Sequence, residues 1–172
     1  QYGDFPQEVS GEMPEEPNLY TDGGVNNPTN QHWAVAGFGL WWPMQKEVTT
    51  NPFVHARIDQ DGTAMWAGLQ GSSVSSTRTE LAAIVIACLW DIVLHIGTDS
   101  LAVVRKATYL IKTATRWNAY DGIPAHTRRN PCKRPWSMQP DGDLWEQFWQ
   151  AILSRGPAAI RITKVKGHAT DQ

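Results

Sequence analysis

Residues 77–90 tolerate few surroundings, and they constrain the rest of the chain. Thr77-Arg78-Thr79-Glu80 fits the S/T-x-x-E capping box that opens a helix, and Leu81, Ile84, Val85, Cys88 and Leu89 follow at helical spacing. Ala82, Ala83, Ile86 and Ala87 make the other faces nearly as apolar, so this helix must be buried against a sheet. The apolar run from Leu81 to Trp90 is ten residues long and ends at Asp91, too short to cross a bilayer.

Strands to receive that helix are readable on both sides of it. Leu19-Tyr20-Thr21 favours an extended conformation, and Asp22-Gly23-Gly24 ends the strand with a carboxylate beside bare backbone. Asn26-Asn27-Pro28-Thr29-Asn30 is turn chemistry, and Trp33 to Trp42 returns as a strand, so this short connection predicts an antiparallel pair. Residues 43–63 read as irregular, with a third strand over Ala64–Leu69. Beyond the helix, Ile92–Ile96 reads as an interior strand leading to Gly97-Thr98-Asp99. Ser100 is a good N-cap for a second helix through about Lys112, with Val103, Val104, Ala107, Leu110 and Ile111 inward. Residues 113–142 read as a loop, Asp143 as the cap of a third helix with Glu146 at the reciprocal position, and Ala159–Val165 as a last strand. One mixed sheet flanked by helices is the expected product.

A chain of 172 residues suits a single core. Residues 1–18 carry Asp4, Glu8, Glu12, Glu15 and Glu16 with no Lys or Arg, three prolines and no apolar period, and read as an acidic flexible lead-in or linker to a domain spanning 19–172. The first residues show neither the basic region nor the apolar stretch of a secretory signal, and the absence of an initiator methionine reads as a piece of a longer polypeptide. Cys88 and Cys132 have no metal-ligand spacing and read as a buried and a surface thiol. The formal net charge of −2 conceals an asymmetry: residues 100–140 hold eight basic residues against Asp121 alone, a local charge of +7. A basic segment of that strength favours a polyanion partner.

Asp22, Glu80 and Asp99 each stand at the boundary of a different element. Each has a plain local explanation: turn chemistry for Asp22, the capping box for Glu80, and a favourable helix-dipole charge for Asp99. Three carboxylates on three elements also suggest a divalent-metal site, since magnesium takes oxygen ligands and keeps several waters.

Tyr20-Thr21-Asp22-Gly23, Arg78-Thr79-Glu80-Leu81, Thr98-Asp99-Ser100, Asp143-Leu144-Trp145 and Val165-Lys166-Gly167-His168 resemble, in that order, the signature segments of type 1 ribonuclease H. They look closest to the ribonuclease H domains attached to retroelement reverse transcriptases, and the resemblance runs from about Leu19 to His168. It implies an α/β fold, ribonuclease H-like, with a mixed five-stranded sheet flanked by helices. It also implies a metal-dependent endonuclease that cuts the RNA strand of an RNA–DNA hybrid inside the cell, in cytoplasm or nucleus, with a reverse transcriptase domain in the same parent chain and no membrane. On this resemblance Asp22, Glu80 and Asp99 match three of four acids that hold two Mg2+ ions, with Mn2+ as a substitute, and His168 matches the mobile histidine near the scissile phosphate. Asn27 and Ser100 match substrate contacts, Ser76 and Thr77 stand where many members place asparagines facing the minor groove, and Arg128, Arg129, Lys133, Arg134 and Trp136 lie where some carry a basic substrate-binding protrusion. The family's fourth acid falls on a helix about ten residues past the histidine. Here the chain stops at Gln172, so the domain reads as incomplete at its C-terminus, and Asp171 is too close to His168 for that role. The alternative expectation is a domain of the same fold that binds nucleic acid or scaffolds a larger protein without cutting.

Overall fold

The computed structural model describes residues 4–22, 37–43, 55–59, 62–68, 76–119 and 130–166. In these segments six strands, β1 (Leu19–Asp22), β2 (Gly37–Pro43), β3 (His55–Asp59), β4 (Gly62–Gly68), β5 (Leu94–Thr98) and β6 (Ile160–Lys164), join three α-helices, α1 (Ser76–Ala87), α2 (Leu101–Ala119) and α3 (Gly142–Arg155). The strands form one sheet in the order β3-β4-β2-β1-β5-β6. β1, β5 and β6 run parallel to their neighbours in that half, while the β1–β2, β2–β4 and β3–β4 pairs are antiparallel. The chain is therefore α/β with a mixed sheet.

The sheet has six strands where five were expected. The extra strand is β3, inside the stretch read as irregular. His55–Asp59 carries only a weak pattern of its own, and its conformation is set by the ladder it forms with β4, from His55 opposite Trp66 to Asp59 opposite Gly62. The β1–β2 pair is antiparallel, as expected, with Thr21 opposite Leu40.

One face of the sheet carries the core. Leu19, Ile96 and Ile162 lie in register across β1, β5 and β6, with Leu94 opposite Ile160 one step along. These side chains and Leu40 join α1, α2 and α3 in a single apolar cluster. Every residue from Leu81 to Cys88 is fully buried, as the apolar run requires. Burying such a helix stabilises the domain in proportion to the apolar area removed from water, about 25 cal/mol per Å².

The helix ends differ from the sequence reading in instructive ways. α2 runs to Ala119 rather than stopping near Lys112. Thr113 and Thr115 turn their hydroxyls back onto the carbonyls of Tyr109 and Ile111, at 2.8 and 2.9 Å, which removes their preference for loop. Ala114 is buried, and the Trp117 ring meets Trp149 edge-on at 5.6 Å. Asp143 does not cap α3: Asp141 occupies the cap with φ of 53°, its carbonyl accepting from the N–H groups of Leu144 and Trp145. Gly142 is confined there, because a Cβ would lie 1.6 Å from the Trp136 carbonyl oxygen.

The C-terminal end of α1 is closed from a distance. Arg155, fully buried, donates from Nη1 to the carbonyls of Cys88 (2.9 Å) and Trp90 (3.2 Å) and from Nη2 to that of Ile92. The Cys88 oxygen is one of the carbonyls that a helix end leaves without an internal partner, and those of Trp90 and Ile92 belong to the connection between α1 and β5. Burial pulls the Arg155 guanidinium below its ordinary value and pushes the Cys88 thiol up to about 11.

Residues 4–18, read as a flexible lead-in, have no regular secondary structure but are tied to the domain through polar groups. The N–H groups of Glu8 and Val9 donate to the carbonyls of Ser154 and Arg155, and the Ser154 hydroxyl to those of Phe5 and Pro6. Asn18 bonds Val93, just ahead of β5, and His95 on β5. The buried His95 ring donates from Nδ1 to the Pro14 carbonyl at 2.9 Å, and its Nε2 lies 2.9 Å from the Thr163 hydroxyl. A composition-based reading weighs apolar content, and beyond Phe5, which packs against the core, these contacts are made by backbone groups and the side chains of Asn18, His95 and Ser154.

Candidate functional site

β1 leads the chain to one side of the sheet and β5 leads it, through α2 and α3, to the other. The boundary between these two parallel strands is thus where the strand order reverses, the place where open α/β sheets bind ligands, outside the carboxyl ends of their strands. Asp22 is the last residue of β1, and Asp99 follows the last residue of β5. Tyr20 lies opposite Gly97. Continuing that register brings Thr21 level with Thr98 and Asp22 level with Asp99.

Glu80 closes this arrangement from α1. Thr21 and Thr98 share the face of the sheet that meets the helix, and both hydroxyls donate to the same carboxylate oxygen, Glu80 Oε2, at 2.5 and 2.8 Å. The carboxylate is 5% exposed, and both threonines are buried. Two neutral donors orient a buried carboxylate without adding charge, and hydrogen bonds to a charged group are the stronger kind. Glu80 therefore does not play the capping-box part expected of it: α1 begins at Ser76, ahead of Thr77, and the Glu80 side chain is engaged by the sheet. Thr21 and Thr98 were not singled out in the sequence, although each directly precedes an aspartate at a strand end. That repeated Thr-Asp pair was the available signal.

Asp99 is exposed at the start of α2. Ser100 caps that helix as expected, its hydroxyl accepting from the Val103 N–H at 3.4 Å, and its own N–H donates to the Thr98 hydroxyl at 3.3 Å. Ser76 opens α1 and Thr77 is half-buried in its first turn. Arg78 reaches from that turn to α3, donating to Asp143 through two bonds of 2.9 and 2.7 Å and to Asp141 at 3.2 Å. The hydrogen bond from Arg78 holds the Asp143 carboxyl below the usual carboxylate range. The first turns of α1 and α3 are thereby fixed to one another.

Of the basic segment, Lys133 and Arg134 are exposed. Trp136 is partly buried against the core in a short turn of 3-10 helix (Trp136–Met138), a packing role rather than a free aromatic surface. The Arg134 carbonyl accepts from the amides of Asn130 and Gln139, at 2.7 and 2.6 Å. Lys106 of α2 holds the same turn, donating to Gln139 at 2.6 Å with its ammonium 5.0 Å above the Trp145 ring. Burial lowers the Lys106 ammonium from its ordinary value. Asn27, Arg128, Arg129, His168 and Asp171 lie outside the described residues.

Among the described residues no group of three His, Cys, Asp or Glu side chains is assembled for a metal ion, and no helix is long and apolar enough to cross a membrane. Compared with protein-family models, with curated proteins and with solved structures, the chain matches none.

Proposed function

We propose that this chain is a metal-dependent endonuclease of the type 1 ribonuclease H kind, hydrolysing the RNA strand of RNA–DNA hybrids as part of an intracellular retroelement polyprotein with a reverse transcriptase domain. One observation carries the reading. Glu80 is held by the hydroxyls of Thr21 and Thr98, the residues immediately before Asp22 and Asp99, so acids from three distant segments are drawn to the carboxyl ends of two adjacent parallel strands. Local turn, cap and dipole preferences give no reason for that coincidence.

The donor chemistry fits a hard divalent cation. Asp22, Glu80 and Asp99 offer oxygen alone, the ligand type magnesium takes, and they would hold the two Mg2+ ions, with Mn2+ as a substitute. Bound there, the ions would supply charge stabilisation to the phosphoryl oxygens and an activated water. The chain's own residues do the positioning. Thr21 and Thr98 fix the Glu80 carboxylate, and Ser100 fixes the start of α2 next to Asp99. Ser76 and Thr77, at the start of α1, supply hydroxyls for 2′-hydroxyl contacts, the group that separates RNA from DNA. Lys133 and Arg134, with Arg128 and Arg129, would meet backbone phosphates, and His168 would act near the scissile phosphate, as the resemblance implies.

The test is cleavage of an RNA–DNA hybrid labelled on the RNA strand, in magnesium, with single-stranded RNA and duplex DNA as controls. Any cutting by the 172-residue chain is expected to be slow and confined to the hybrid. Asp22→Asn and Asp99→Asn, each exchanging an anionic oxygen for an amide at nearly constant volume, are expected to abolish cutting with the circular dichroism spectrum unchanged. Normal cleavage by either variant would sink the assignment. Hybrid binding without cleavage by the unaltered chain would replace it with a non-cutting nucleic-acid-binding role.

A further inference from the structure

Among the described residues β6 is the terminal strand of the sheet and pairs only with β5. The Val165 N–H donates to the Thr98 carbonyl, so by the alternation of a parallel ladder Arg161 and Thr163 also bond towards β5. The N–H and C=O groups of Ile160, Ile162 and Lys164 face away from it, and no described residue pairs with them there. Along this side runs a groove of about 510 Å³, bounded by α2, the lead-in and β6 itself. Thr108 and Ile111 of α2 line it beside Ile160 and Ile162, and Met13 lies with Arg161 and Thr163, the other set of the strand's alternating side chains. Lys112 and Arg161 are the charged lining residues, and no described acid lines the groove.

We infer that this groove binds an extended peptide of alternating apolar and acidic residues, added as a further strand on β6. Main-chain hydrogen bonds to the outward groups would supply affinity, and the alternation would supply specificity, as in strand addition generally. Apolar side chains of the added strand would fall beside Ile111 and Ile162, and acidic ones beside Arg161. The five residues of β6 span about 17 Å, enough for a strand of ordinary length. A second copy of this chain fits less well. Its own β6 would offer Arg161 and Lys164, both exposed, and no acid to place beside Arg161.

The probe is a dye-labelled peptide alternating valine and glutamate, about eight residues long, read by anisotropy and by amide hydrogen exchange of the 172-residue chain. Binding is expected to slow exchange at Ile160, Ile162 and Lys164 by tenfold or more, and to vanish when alternate peptide amides are N-methylated. Arg161→Glu and Lys112→Glu, both at exposed positions, are each expected to weaken binding by about tenfold, and the double variant to prefer a peptide with lysine in place of glutamate. Equal binding of the N-methylated peptide, or protection absent from β6, overturns the inference. Concentration-dependent dimerisation that itself protects those three amides overturns it in favour of the second copy.

Discussion

The Thr98 hydroxyl donates to Glu80 Oε2 at 2.8 Å, joining the last residue of β5 to the first turns of α1 one position ahead of Asp99. Thr98→Val keeps the shape and removes the donor. It should cost about 1–3 kcal/mol in urea unfolding and reduce hybrid cleavage, whereas Thr98→Ser retains both. Equal behaviour of the valine and serine variants would show that the hydroxyl does not position Glu80.

Asp143 gives a pH signature. Its carboxyl is depressed by Arg78, so its contribution to stability is present above the ordinary carboxylate range and is lost as pH falls through the depressed value. The Asp143 side chain is 61% exposed, which limits the pair to about 0.2–1 kcal/mol at neutral pH. Asp143→Asn should therefore be slightly less stable than the parent at pH 7, with the difference closing in acid. A stability gap that persists at pH 2 would mean that the asparagine acts through something other than charge.

Arg155→Met tests the buried closure of α1. The variant nearly retains volume but leaves the carbonyls of residues 88, 90 and 92 without their donor, for an expected loss of about 3 kcal/mol or more at roughly 1–3 kcal/mol for each buried group left unpaired. Denaturant unfolding with an unchanged m-value measures it directly. An unaffected midpoint would show that water reaches those oxygens.

Neutralising Arg128, Arg129, Lys133 and Arg134 together should flatten the dependence of log affinity for hybrid on log salt. Each lost phosphate contact is worth about 0.7–0.9 of slope on nucleic acids. An unchanged slope would make the segment a solvated surface.

How far the sequence carried depended on where each element gets its stability. α1 was legible because ten consecutive apolar residues allow only burial, and the start of α2 because Ser100 caps locally. β3 was not, because His55–Asp59 is extended by virtue of β4 alongside it. The last turns of α2 were hidden by threonines whose alternative bonds appear only once the helix exists. At the candidate site, the element-end positions of Asp22 and Asp99 could be read directly. The partners of Glu80 could not, because a capping box and a buried anchor present the same residue at the same spacing.

Arg155 also fixes an order of events. The carbonyl of Cys88 meets its donor 67 residues later in the chain, so α1 is synthesised long before the group that closes it. While the chain grows from its N-terminus, α1 follows β1 and β2, on which it rests, but precedes α3, which covers it and carries the donor for its open end. The domain cannot settle in instalments: its most hydrophobic helix waits for the last turn of α3, and a ribosome stalled before that point would hold a strongly aggregation-prone nascent chain.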